Sequence, residues 1–193
     1  NSHQLGCYNE FYFTQDLDYK QTDHAIKFEY VLNYKNQSRL EFNYFSRYTY
    51  LFSDFDPTRS DDGLALPTGS DYRYNSWGIR YRAPLANIFT YNVETSFGEY
   101  FNGTRTGIKG NLNFRQQPTF NMSIRFDYND IRLGGPYPSA KLLLIGPKLE
   151  WTFTKNLFWS NFIQYSNFSD NFGVNSRLQW RFAPMSDLFL VYN

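Results

Sequence analysis

Hydrophobic residues recur with a period of two along almost the whole chain, and that period commits it to β-strands, because only an extended backbone sends alternate side chains to opposite faces. Ile26, Phe28, Tyr30, Leu32 and Tyr34 alternate with Lys27, Glu29, Asn33 and Lys35. Leu40, Phe42, Tyr44, Tyr48, Tyr50 and Phe52 oppose Arg39, Glu41, Asn43, Arg47 and Thr49. Similar stripes run through Trp77–Tyr81, Phe89–Phe97, Ile108–Phe114, Phe120–Tyr128, Leu143–Phe153 and Phe172–Phe182. With less regular segments at 5–15, 157–167 and 186–193, the pattern predicts about eleven strands and no helix.

Composition narrows the class. Of the 193 residues, 20 Phe, 17 Tyr and 4 Trp make 21% aromatic, against 19% charged. Disordered chains are poor in rings, so a folded single domain is expected over 1–193. No apolar run approaches the ~20 residues of a spanning helix, which excludes a helical membrane protein. A net charge of +1 gives no basis for nucleic-acid binding. Cys7 is the only cysteine, so no disulfide framework is available. Leu5-Gly6-Cys7 resembles a lipoprotein cleavage site, but the preceding apolar segment is missing and a plain thiol is the expectation. The opening NSHQLGCYNEFYF has no charged start and apolar core, so an export signal is expected upstream, if anywhere.

Short turns are expected around 36–38, 83–86, 116–118, 154–156 and 183–185, and longer connections around 16–24, 54–70, 99–104, 132–140 and 167–171. Alternating short and long connections describe an up-and-down meander with two different ends, as in transmembrane β-barrels. A soluble barrel would bury the apolar face, whereas a membrane barrel turns it to lipid. Stripes of four to six large side chains on eleven strands overfill a soluble interior. The expected fold is therefore an all-β, antiparallel up-and-down transmembrane β-barrel of the cell outer membrane, with the lipid bilayer as its partner.

The opposite faces then line a lumen. They carry twelve bases, among them Arg39, Arg47, Arg80, Arg82, Lys109, Arg115, Arg125, Lys148, Arg177 and Arg181 with Lys27 and Lys35, against Glu29, Glu41, Glu94, Asp127 and Glu150. An open lumen with this lining would favour anions, while pairing of Arg with Glu across it would mute the preference. With the long connections outside, the last strand runs outward. Bacterial barrels normally have even strand numbers and end inside, so at least one further strand is expected after 193, from a missing part of the same chain or from another outer-membrane subunit.

The segments GTRTGIKGNLNFR (103–115), FDYNDIRL (126–133), LIGPKLEWTFTKNLFWSNFIQYS (144–166) and NSRLQWRFAPMSDLFLVYN (175–193) resemble the C-terminal β-barrel of a Gram-negative outer-membrane family of unknown function. In that family a domain similar to family nine carbohydrate-binding modules precedes the barrel. The resemblance implies a barrel continuing through one more strand, and a glycan as a ligand class; no such module is recognisable in these residues.

An enzyme is not expected. His3 and His24 are the only histidines, His24 reads as a loop residue beside Asp23, and no GxSxG, HExxH or paired-cysteine spacing occurs. The acidic stretch SDFDPTRSDDG (53–63) places Asp54, Asp56, Asp61 and Asp62 within reach of one another, enough oxygen for a calcium ion in an outer loop, although its spacing is not that of an EF-hand. Leu133–Pro138 is turn chemistry in which Tyr137 offers a ring for sugar stacking. A pore, transporter or surface anchor, with a link to carbohydrate handling, is the expected function. An extracellular filament or adhesin subunit and a membrane-embedded barrel hydrolase are the alternatives.

Overall fold

A computed structural model describes residues 1–14, 19–59, 64–168 and 170–193. It contains eleven strands: β1 (Ser2–Thr14), β2 (Lys20–Asn33), β3 (Arg39–Tyr50), β4 (Asp71–Arg82), β5 (Phe89–Tyr100), β6 (Gly103–Gln116), β7 (Phe120–Arg132), β8 (Ser139–Thr154), β9 (Leu157–Ser166), β10 (Asn171–Ala183) and β11 (Ser186–Tyr192). They form one sheet in sequence order, β1 through β11, and no helix occurs among the described residues. The order is linear. β1 pairs with β2 and β11 with β10, so residues 5–15 and 186–193 do not close the sheet on one another.

Most strands are longer than the five or six residues usual in globular proteins. They outrun the sequence expectation at one end: β4 starts at Asp71, β6 at Gly103 and β8 at Ser139. The reason is that pairing continues where the apolar stripe has already stopped, so periodicity understates strand length. The connection expected over 99–104 is for the same reason only Phe101 and Asn102, with Phe101 at φ 50°. The expected alternation of connection lengths is therefore weaker than predicted, and 51–70 is the one long connection of clear excess. His24 lies inside β2 rather than in a loop, with its ring against Phe11 and Tyr48.

The residues divide into two compact units. One comprises Asn1–Arg82, Glu94–Ile108 and Asn129–Lys141; the other comprises Ala83–Val93, Lys109–Tyr128 and Leu142–Asn193. In the first, the described residues of the connection, 51–59 and 64–70, build a small core of their own. A two-way backbone bridge links Phe55 and Leu66, Leu66 is fully buried, and the Phe101 ring meets Phe55, Tyr72 and Tyr74 at 5.3 to 5.5 Å.

In the second unit, Gly110 of β6 is covered by the Phe126 ring of β7. An added Cβ would lie 2.4 Å from the Asn92 carbonyl oxygen and 2.9 Å from that ring. Backbone cannot retreat as a flexible side chain can. Gly110→Ala should therefore lower stability by about 1–3 kcal/mol in chemical denaturation, whereas Gly173→Ala, where a Cβ meets nothing within 4 Å, should be far milder.

Candidate functional site

Register assigns every side chain of β1–β4 to one of two faces. Glu29, Asn43 and Gly78 stand in line across β2, β3 and β4, as do Val31, Glu41 and Arg80. The other face carries Phe28, Tyr44 and Trp77 in one row and Tyr30, Phe42 and Ile79 in the next. The polar face is the covered one. Glu41 is 3% exposed, whereas Phe28 and Trp77 are 52% and 53% exposed. Carboxylates are almost never this buried unless paired.

Glu41 is paired. Arg80 donates through Nη1 to Glu41 at 3.1 Å, and through Nε and Nη2 to Glu94 at 2.8 and 2.5 Å. Arg39 Nε lies 2.6 Å from Glu41 without aiming its N–H at the oxygen, so that contact is ionic rather than a directed hydrogen bond. Lys27 pairs with Glu29 on the same face. The expected lumen bases are thus brought together with acids in this unit. Arg47 donates to the Ser76 hydroxyl at 3.2 Å and lies over the Phe45 ring, while register sets Arg82 opposite Arg39.

In the second unit, Lys148 pairs with Glu150 at 2.6 Å and Arg181 with Asp187 at 3.2 Å. Arg115 donates to the Leu85 carbonyl at 2.6 Å, Arg177 sits 4.4 Å from the centre of the Phe189 ring, and Arg125 is exposed. Lys109 follows the same alternation in β6. Sequence reasoning missed that the polar face turns apolar here. Register places Phe158 and Phe162 of β9 opposite Thr152 and Lys148, and Phe189 and Val191 of β11 opposite Gln179 and Arg177. Both strands are apolar on both sides, so alternation alone gave no phase for them.

The ring-bearing face has a sharp polar limit. His24, Arg73, Asp71, Glu99, Asp130 and Lys141 all fall on it at the strand ends away from the short turns. Inside that limit, β2 to β10 place no Asp, Glu, Lys or Arg on this face among the described residues. At the short-turn end Phe114, Phe120, Trp151 and Phe153 form a chain of rings with centroids 5.1 to 6.2 Å apart, and Trp180 meets Phe182 at 5.9 Å. Trp151 and Trp180 are 42% and 49% exposed, not packed between two layers.

Of the acidic loop, Asp54 accepts from the Thr68 N–H and hydroxyl, both at 2.8 Å, and Asp56 accepts from the Thr58 N–H and hydroxyl at 2.8 and 2.6 Å. The Thr68 hydrogen bonds hold the Asp54 carboxyl below its ordinary range. These two carboxylates brace the connection; Asp61 and Asp62 lie outside the described residues, and no group of metal-ligating side chains assembles among those described. Tyr137 is half-buried in the turn between β7 and β8.

No protein-family model matches the chain, and neither a curated protein nor a solved structure does.

The geometry around Glu41 makes a quantitative expectation. Glu41→Gln removes the charge that two guanidiniums share, but Arg39 and Arg80 each keep about a third of their side-chain surface in solvent. The loss in denaturant titration should be about 1–3 kcal/mol, below the value for a fully buried pair. Replacing Lys148, whose pair with Glu150 is about half exposed, should cost under about 1 kcal/mol.

Proposed function

We propose that this chain forms wall of an outer-membrane β-barrel, with its rings toward lipid and its charges toward an aqueous lumen, serving as a pore or transporter for polar solutes. The observation that carries the reading is the inversion of the two faces: a 3% exposed glutamate on one and half-exposed Phe and Trp on the other. In water that arrangement is costly, since apolar burial contributes about 25 cal/mol per Å². In hydrocarbon it is the stable one.

The dimensions agree. On β7 the apolar positions run from Phe120 to Tyr128 before Asp130. The eight steps between them, at about 3.4 Å each and tilted by about 40°, span about 21 Å of bilayer, close to the ~25 Å apolar band of outer-membrane barrels. The ring chain at the short-turn end fits one interfacial girdle, where rings sit at the water boundary. The two sheet edges, β1 and β11, each need a further strand in lipid, because an unpaired backbone group there costs several kcal/mol. Strands of the same polypeptide or of a neighbouring subunit supply them. The resemblance of 103–115, 126–133, 144–166 and 175–193 to an outer-membrane barrel family points the same way.

Ion pairing on the polar face tempers selectivity. The Arg39–Glu41–Arg80–Glu94 group and the Lys27, Lys148 and Arg181 pairs neutralise these bases locally and leave the basic excess on the other cations of the face. A conducting reconstituted barrel should show a modest anion preference that falls when Arg125 and Arg177 are changed to Glu; cation preference in the parent protein would contradict the charge distribution. Ile124→Arg, at the middle of the β7 stripe, should cost about 2–4 kcal/mol in folding into bilayers. An effect below about 0.5 kcal/mol, as at an ordinary surface site, would contradict a lipid-facing Ile124.

A further inference from the structure

The polar face of the second unit holds two cavities that share a waist. The first, of about 380 Å³, is lined by Thr90, Asn113, Arg115, Ser123 and Lys148. The second, of about 260 Å³, is lined by Phe158, Ser160, Arg177 and Gln179. Asn121 and Glu150 line both. The larger falls within the ~300–1,000 Å³ range of small-molecule sites.

Three features of this trough select a ligand. Its charge is uneven: Arg115, Lys148 and Arg177 stand against Glu150. Glu150 is neutralised by Lys148 at 2.6 Å, which leaves the two guanidiniums as the net charge, one in each cavity. The Arg177 guanidinium lies 4.4 Å from the Phe189 ring centre, a contact that fixes its position while its N–H groups remain able to take an oxyanion. At the waist, the buried Asn121 Oδ1 accepts no hydrogen bond from the described residues, which favours a ligand that supplies a donor. A bare carboxylate has no proton to give it; a hydroxyl does. Asn113 and Ser123 add an amide and a hydroxyl to the first cavity, and Ser160 and Gln179 a hydroxyl and an amide to the second.

We propose that this trough is a binding station for a small hydroxylated organic anion, its oxyanion held by Arg177 or Arg115 and its hydroxyl donated to Asn121. The inference rests on the reading of this face as the aqueous one and names the solute class it favours.

Glucuronate, glucose and acetate separate the two requirements, charge and hydroxyl. With the full chain folded in detergent micelles, calorimetry should show glucuronate binding at least about tenfold more tightly than either of the others, a difference of about 1.4 kcal/mol. Arg177→Gln should weaken glucuronate several-fold and Arg177→Lys should restore part of the loss. Glu150→Gln should strengthen it, because a like charge is removed and Lys148 is released. Asn121→Ala should shrink the advantage of glucuronate over acetate. Equal binding of glucose and glucuronate, or a Glu150→Gln variant of native circular dichroism that binds glucuronate no better, would overturn the proposal. A chain that stays monomeric and soluble without detergent contradicts the membrane reading instead, whichever solute the trough takes.

Discussion

A β-sheet has two faces, and in a folded protein each must be covered by something: another layer of the chain, water or lipid. Here eleven strands make a single sheet, with no helix and no second sheet among the described residues. Among the described residues, accordingly, no protein layer packs against the ring-bearing face. Phe28, Trp77, Phe172 and Phe182 stand open at 52% to 65% exposure. Everything else follows from what covers that face. If it is hydrocarbon, the ladder hydrogen bonds, the interfacial rings and the enclosed charges on the opposite side fit one environment.

The polar face shows how its charges are held. Arg80 bridges two carboxylates from neighbouring strands, and Arg39 flanks one of them. Such cross-strand pairs tie β3, β4 and β5 together on the side where no hydrophobic layer can do so. The rings do the equivalent on the other side, where Phe28, Tyr44 and Trp77 lie in one cross-strand row. The sheet is stabilised from both sides by side-chain rows rather than by a conventional core.

Much of this is legible in the sequence. The eleven strands, their antiparallel order and the phase of β2 to β8 and β10 follow from alternation, because a period of two admits only one assignment of faces once a stripe is long. What escaped has physical reasons. Phe158, Phe162, Phe189 and Val191 sit on the polar face because β9 and β11 are apolar on both sides, and only cross-strand register fixes their phase. The tight Phe101–Asn102 turn was hidden because pairing extends past the apolar stripe into polar sequence. The basic excess of the polar face is visible as a count, but the sharing of Arg80 between Glu41 and Glu94 depends on residues 14 and 39 positions away. The trough around Asn121 draws on residues from several strands and had no local signature.

A lipid-facing ring stripe requires that the two faces of the sheet meet different solvents. Single spin labels walked along β7 from Phe120 to Tyr128, with the protein in lipid bilayers, test it most directly. Collision with oxygen, which concentrates in hydrocarbon, should peak at Phe120, Met122, Ile124, Phe126 and Tyr128. Collision with a water-soluble nickel chelate should peak at Asn121, Ser123, Arg125 and Asp127, so that the two profiles alternate with period two and opposite phase. Profiles in phase with one another, or chelate access at Ile124 and Phe126 equal to that at Arg125, would contradict it.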